Sequence, residues 1–227
     1  MSKDPVRVRF APSPTGYLHI GGARTALYDW LLAKKTGGRF ILRIEDTDRN
    51  RFVPAAVQDI KDSLNWMGLT WDEGPDVGGE DGPYFQSERL ALYQKYAEEL
   101  VKAGKAYYCF CTTERLEAMR KKQEEASTPS GYDRHCRDLP MELIEKNRAA
   151  GLKYVIRFKV PLAGKTKVND ALRGEMVFDH GTLDDFVILK SDGFPTYHLA
   201  SVIDDHLMRI SHVIRGDEWI ISMPRHF

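Results

Sequence analysis

The chain has 227 residues, 42% hydrophobic and 29% charged, with 33 Lys or Arg balanced by 33 Asp or Glu. That is room for one large α/β domain or a domain with an insertion, and a net charge of zero gives no global nucleic-acid signal. No apolar run reaches the roughly 18 residues needed to cross a bilayer. Met1-Ser2-Lys3-Asp4-Pro5 lacks the apolar stretch of a signal peptide, and three cysteines, an odd number, argue against a disulfide scaffold. A cytoplasmic, monomeric protein without a membrane partner is the expectation.

Val6 to Phe10 alternates and is β-rich, so it reads as a strand. Pro12-Ser13-Pro14-Thr15-Gly16 must be a loop, because both prolines exclude helix around them. From Gly21 the period changes: Ala23, Ala26, Leu27, Trp30 and Leu31 form an apolar stripe at helical spacing, ended by Gly37-Gly38. Phe40 to Ile44 is a second strand, so the opening is a βαβ crossover and implies a parallel sheet. Helices follow near 54–67 and 87–104, with a glycine-rich loop from Gly74 to Pro83 between them. A charged helix spans 113–126, and 127–131 is a linker. Lys153–Val160, Glu175–Phe178 and Phe186–Lys190 read as strands of a separate mixed unit. Tyr197–His206 reads as a helix, Ser211–Ile214 as a buried strand, and Glu218 onward as a helix that the chain enters as it stops. The division is therefore 1–104 for the first half of a sheet domain, 105–192 for an insertion, and 193–227 for the start of the second half, cut short.

Residues 1–51 hold ten Lys or Arg against five acids, a local field suited to anions. In an open α/β sheet, ligands bind beyond the carboxyl ends of the strands, so the loop 11–22 and the start of the first helix face the crevice. Free N–H groups there favour anions, Gly21 and Gly22 allow a base or phosphate to approach, and His19 can donate to a phosphate oxygen. This loop fits neither the dinucleotide fingerprint nor the P-loop; Gly164-Lys165-Thr166 is a decoy, since position 159 is Lys. Arg9 and Arg215 can fork a carboxylate, Tyr197 can add a hydroxyl, and Glu45 can hold an ammonium. Glu45-Asp46-x-Asp48 could be a metal site, but Arg43 and Arg49 favour salt bridges; Asp204-Asp205-His206 could simply cap a helix end.

The block Pro12-Ser13-Pro14-Thr15-Gly16-x-x-His19-x-Gly21 resembles the nucleotide signature of class I aminoacyl-tRNA synthetases in its glutamyl and glutaminyl form. Arg43–Asp48, Gly193–Ala200, Val202–His206 and His212–Trp219 look like the glutamyl members, in the right order, across essentially the whole chain. The resemblance implies a Rossmann-like parallel-sheet catalytic domain, truncated, with an inserted α+β acceptor-stem-binding domain. It implies a ligase that activates glutamate with ATP and Mg²⁺ and loads tRNA(Glu). Arg9, Tyr197 and Arg215 would read the side-chain carboxylate, and Glu45, Ala11 and Ser13 would position the amino acid. Ser201 lines that pocket where the family often has Asn. Pro12, Thr15, Gly16, His19, Gly21, Gly22, Glu218 and Trp219 would meet ATP, with His19 and Gly21 at the reacting phosphates. Asp48 and Arg51 would meet the tRNA. No Lys-Met-Ser-Lys-Ser-type segment occurs in these residues, so weak or no turnover is expected. Alternatives are a glutaminyl-type or tRNA-modifying relative, or a non-catalytic binding module derived from a synthetase.

Cys109-x-Cys111 followed by Tyr132-x-x-x-Cys136 has the spacing of a zinc knuckle. The tyrosine variant of the site in some glutamyl-tRNA synthetases matches Cys109, Cys111, Tyr132 and Cys136, with His135 or Asp138 as substitutes and a structural role for Zn²⁺. The run Arg115, Arg120, Lys121, Lys122 is interleaved with Glu114, Glu117, Glu124 and Glu125 and reads as a solvated helix rather than an RNA contact.

Overall fold

The computed structural model describes residues 5–227. Its elements in chain order are Arg7–Phe10 (β1), Ile20–Thr36 (α1), Arg39–Leu42 (β2), Pro54–Trp66 (α2), Leu90–Lys102 (α3), Ala106–Cys109 (β3), Thr113–Glu125 (α4) and Met141–Ala149 (α5). Val155–Phe158 (β4), Lys165–Asp170 (β5), Gly174–Asp179 (β6), Val187–Leu189 (β7), Tyr197–Leu207 (α6) and Met223–His226 (α7) complete the order. The chain divides into two compact units, Met1–Leu90 with Ala200–Ile221, and Ala91–Leu199 with Ser222–Phe227.

The first unit is built on the βαβ crossover. β1 and β2 pair in parallel with Val8 opposite Phe40 and Phe10 opposite Leu42. All four residues of β1 are buried, with Val8 and Phe10 on the apolar face and Arg7 and Arg9 on the other, while Phe40, Ile41 and Leu42 bury both faces of β2. Their core includes Val8, Phe10, Phe40, Leu42 and Ile44, joined by Ala26 and Ala33 of α1 and by Ile60 and Leu64 of α2. α1 is capped at its start by His19 and stopped by Gly37 at φ 64°, with the Gly38 N–H reaching back to the Ala33 carbonyl at 2.8 Å. Gly38 is required by close approach: a Cβ there would lie 2.2 Å from the Val6 carbonyl oxygen. The buried face of α1 is Ala23, Ala26, Asp29 and Ala33, while Leu27 and Leu31 are 39% and 46% exposed. The apolar stripe in the sequence is thus rotated from the face that packs, because small alanines let the helix approach the strands closely.

Ser211–Ile214 is not a buried strand; Ser211, His212 and Val213 are exposed. The segment runs beside β1, but the Ser211 and His212 N–H groups both donate to the single carbonyl of Arg7. The Arg7 N–H is taken by the Ser211 hydroxyl at 2.8 Å, so a ladder cannot propagate.

The second unit holds an antiparallel sheet in the order β3-β4-β7 and a separate hairpin, β5-β6. β3, β5 and α5 are elements the pattern did not reveal. β5 carries one buried residue, Val168, among charged and polar neighbours, so it shows no alternation to read. Near Glu218 the chain forms a 3₁₀ turn, Asp217–Ser222, before α7.

Candidate functional site

Beyond the ends of β1 and β2 the first unit buries an ion-pair hub. Arg43, just past β2, is fully buried, which requires compensation of its charge. Its Nη1 donates to Asp205 at 2.8 Å and its Nη2 to Glu45 at 3.0 Å, and Asp204 lies 3.8 Å from its Nε. Arg9, on β1, donates from Nε to the same Asp205 oxygen at 2.9 Å. Asp204, adjacent on α6, takes Gln86 and Arg89, each at 2.8 Å. Burial works against the charge on Arg43, yet Asp205, Glu45 and Asp204 outweigh it and hold its pKa above the usual value. Burial likewise opposes the charge on Asp205, but Arg9 and Arg43 win and hold its carboxyl below the usual range. Glu45 goes the other way: burial raises it more than Arg43 lowers it. The acids at 204 and 205 therefore bind arginines rather than cap a helix end.

The consequence for Arg9 is geometric. One edge of its guanidinium is fixed by Asp205, and neither Nη makes a hydrogen bond to a described residue. A planar fork held this way, 5% exposed, is prepared for a second carboxylate.

The loop 11–19 leads into α1. The Gly21 N–H donates to Nδ1 of His19 at 3.1 Å, so in the neutral ring the proton sits on Nε2, which is left to donate outward from an exposed side chain. A Cβ at Gly21 would meet the His19 ring at 2.9 Å, and one at Gly22 would meet the end of the Leu18 side chain at 2.9 Å, so a side chain at either position would have to displace these groups. Ala11, Pro12 and Thr15 are half-buried, while Ser13 and Gly16 are exposed. The Pro12 carbonyl accepts from the Glu45 N–H at 3.0 Å, which ties this loop to the end of β2. Ser201, on α6, is fully buried with an unpartnered hydroxyl. Arg215 and Gly216 are half-buried, and Glu218 and Trp219 are exposed in the 3₁₀ turn. Tyr197 opens α6 and packs its ring edge-on to His198 and at a tilt to His226, in the second unit.

Asp46 and Asp48 do not share a partner: Asp46 binds the Ser87 N–H and hydroxyl, and Asp48 pairs with Arg51 at 2.6 Å on the surface. A cavity of about 970 Å³ opens at the opposite ends of the strands, beside Arg7 and Arg39. Its Arg7, Glu73, Glu80 and Arg209 are all engaged in ion pairs, so it presents few free polar groups.

In the second unit the three cysteines come together, with their sulfurs within 4.8 Å of one another. The Tyr132 hydroxyl lies 3.2 Å from the Cys109 sulfur and 3.4 Å from that of Cys111, and Cys111 and Cys136 are 3.5 Å apart. A tetrahedral ion with Zn–S bonds near 2.3 Å needs edges of about 3.8 Å, so this donor set fits. The Cys136 thiol beside it holds the Cys109 thiol below its usual range, while Cys136 itself is pushed up. Arg157 stacks on the Tyr132 ring at 3.7 Å. The substitutes are not brought in: Asp138 pairs with Lys159 at 2.8 Å, and His135 is exposed. α4 buries no residue, consistent with a solvated helix.

Sequence reading missed Asp29 and the hub role of Arg43. The signal for Asp29 was present: it falls three residues after Ala26 and four before Ala33, an acid in the middle of the buried face of α1.

The profile of the family described as "tRNA synthetases class I (E and Q), catalytic domain" matches residues 5–227. A glutamate–tRNA ligase of Dehalococcoides mccartyi (strain CBDB1) is 62% identical over 221 residues, 97% of this chain and 44% of that protein. The one from Fusobacterium nucleatum is 56% identical over 99% of this chain and 44% of that protein. A crystal structure of a glutamate tRNA ligase from Elizabethkingia meningosepticum, in complex with its amino acid, superposes with a TM-score of 0.94 at 49% identity, over 98% of this chain and 46% of that one. The chain spans a little under half the length of these relatives. It belongs to the class I tRNA synthetases of the E and Q type, over their α/β catalytic domain.

Proposed function

We propose that this chain binds L-glutamate and ATP and serves the activation of glutamate for transfer to tRNA(Glu). The supporting observation is the Arg9 guanidinium, locked on one edge by Asp205 and open on the other. In this reading Arg9, Tyr197 and Arg215 take the γ-carboxylate, Glu45 takes the ammonium, and Ala11, Ser13 and Ser201 shape the pocket. Pro12, Thr15, Gly16, Gly21, Gly22, Glu218 and Trp219 hold ATP, whose Mg²⁺ arrives with the nucleotide. The substrate α-carboxylate oxygen attacks the α-phosphorus, the bond to the bridging oxygen breaks, and pyrophosphate leaves. The terminal tRNA hydroxyl then displaces AMP from the acyl carbon. Little covalent work falls to the protein; positioning and charge stabilisation dominate, with the Nε2–H of His19 and the start of α1 facing the phosphates.

Residues 105–192 are proposed as an inserted acceptor-stem-binding domain, between catalytic segments 1–104 and 193–227. Cys109, Cys111, Tyr132 and Cys136 would hold a structural zinc that fixes its fold, and Asp48 and Arg51 would meet the tRNA. The test is calorimetric. Arg9→Ala and Arg215→Ala should each weaken glutamate by roughly 30- to 4,000-fold, the cost of about 2–5 kcal/mol for an unpaired buried charge, and leave ATP nearly unchanged. Equal loss of both ligands would sink the assignment.

A further inference from the structure

Asp29 is the one residue of the buried face of α1 that is charged by type, and the proposed reaction does not use it. It is fully buried, and neither carboxyl oxygen has a hydrogen-bond partner. α1 packs on β1 and β2, and the charges that act on Asp29 are Arg9 of β1, which favours its anion, and Asp205 of α6, which opposes it. Of the other charged groups on or next to these elements, Arg24, Lys34 and Lys35 of α1 and His206 of α6 are exposed, and the rest are committed elsewhere. Arg7 pairs with Glu73 and Asp81, Arg43 with Glu45 and Asp205, Arg89 with Asp204, and Arg39 is exposed toward Asp72. An unpartnered carboxyl in such a place is stable only as the neutral acid.

We propose that Asp29 is a positioning residue for glutamate recognition: as the neutral acid beside Arg9 it leaves the guanidinium free for the substrate carboxylate, and when ionised it competes for that guanidinium. The inference rests on Arg9 reading the substrate carboxylate.

The sign follows from linkage. Burial, acting first, and then Asp205 push the Asp29 carboxyl up to about 8, against the pull of Arg9. A substrate anion on Arg9 cancels that pull and raises the carboxyl further. Binding therefore holds the proton on Asp29, so affinity is full below about pH 8 and falls above it, by at most tenfold per pH unit for one proton. Glu45 would give the opposite sign, since its ionisation favours the substrate ammonium.

The experiment is glutamate titration of the chain and of Asp29→Asn by calorimetry at pH 6.5 and pH 9. The wild-type dissociation constant should rise about tenfold between the two, and that of Asp29→Asn should change much less; any ionisation of glutamate itself affects both alike. Parallel profiles overturn the inference and leave the glutamate reading standing. No glutamate binding at pH 6.5 by the wild-type chain overturns both. A second measurement needs no variant: infrared difference spectra with ¹³C-labelled aspartate should show a protonated aspartic carbonyl at pH 6.5 that is lost on raising the pH, later with glutamate present. Absence of that band, or a titration indifferent to glutamate, overturns the inference equally.

Discussion

Asp205 carries more of the candidate site than any residue whose chemistry is obvious from its type. Two arginines, Arg9 and Arg43, end on one of its oxygens. Removing the charge strands both cations in a region where water cannot replace the partner, so Asp205→Asn should cost about 3–5 kcal/mol. Urea unfolding followed by fluorescence would measure it. The surface pair Asp48–Arg51 is the contrast, with side chains 36% and 74% exposed. There the same change should stay below about 1 kcal/mol. A loss at Asp205 no larger than that at Asp48 would mean that the hub is solvated. Asp29 shows the other way to bury an acid: its oxygens have no hydrogen-bond partner, and burial holds its carboxyl well above the usual range.

At the scale of elements, the turn from α1 to β2 decides how closely the crossover can close. Gly37 supplies the left-handed conformation, and Gly38 supplies the missing side chain against the Val6 carbonyl. Gly38→Ala must push β1 and β2 apart or distort the Schellman turn, and should destabilise by about 2 kcal/mol or more. A shift in the urea midpoint without a change in slope would report it; an unchanged midpoint would show that the strands can yield. The start of α1 is less strict. At Gly21 and Gly22 a Cβ would press on the His19 ring and the end of the Leu18 side chain, groups that can move aside more readily than the Val6 carbonyl.

For the molecule as a whole, the two compact units invite separate tests. The cysteine cluster lies in the second unit, and the arginine hub in the first. Protein prepared without chelator should contain about one zinc per chain, because a closed four-ligand site of this kind binds tightly. Stripping it should raise amide exchange around Cys109–Cys136 and leave the amides of β1 and β2 protected. A metal content near zero would refute the site, and uniform deprotection would show that the units do not behave independently.

The sequence by itself determined the βαβ opening, the stop of α1 at glycine, the family and the spacing that brings Cys109, Cys111, Tyr132 and Cys136 together. Each depends on local chemistry: a period, a left-handed residue, a spacing between donors, a motif in a fixed order. It did not determine that Ser211–Ile214 would fail as a strand. That outcome depends on Ser211 taking the Arg7 N–H across 204 residues. It offered only a helix-end cap as the local reading of Asp204 and Asp205, which instead bind arginines, and it gave no role to Asp29. Those outcomes were decided by burial, which sets the cost of a charge, and by partners drawn from distant strands and helices. Neither quantity has a period along the chain, so only the folded arrangement could supply them.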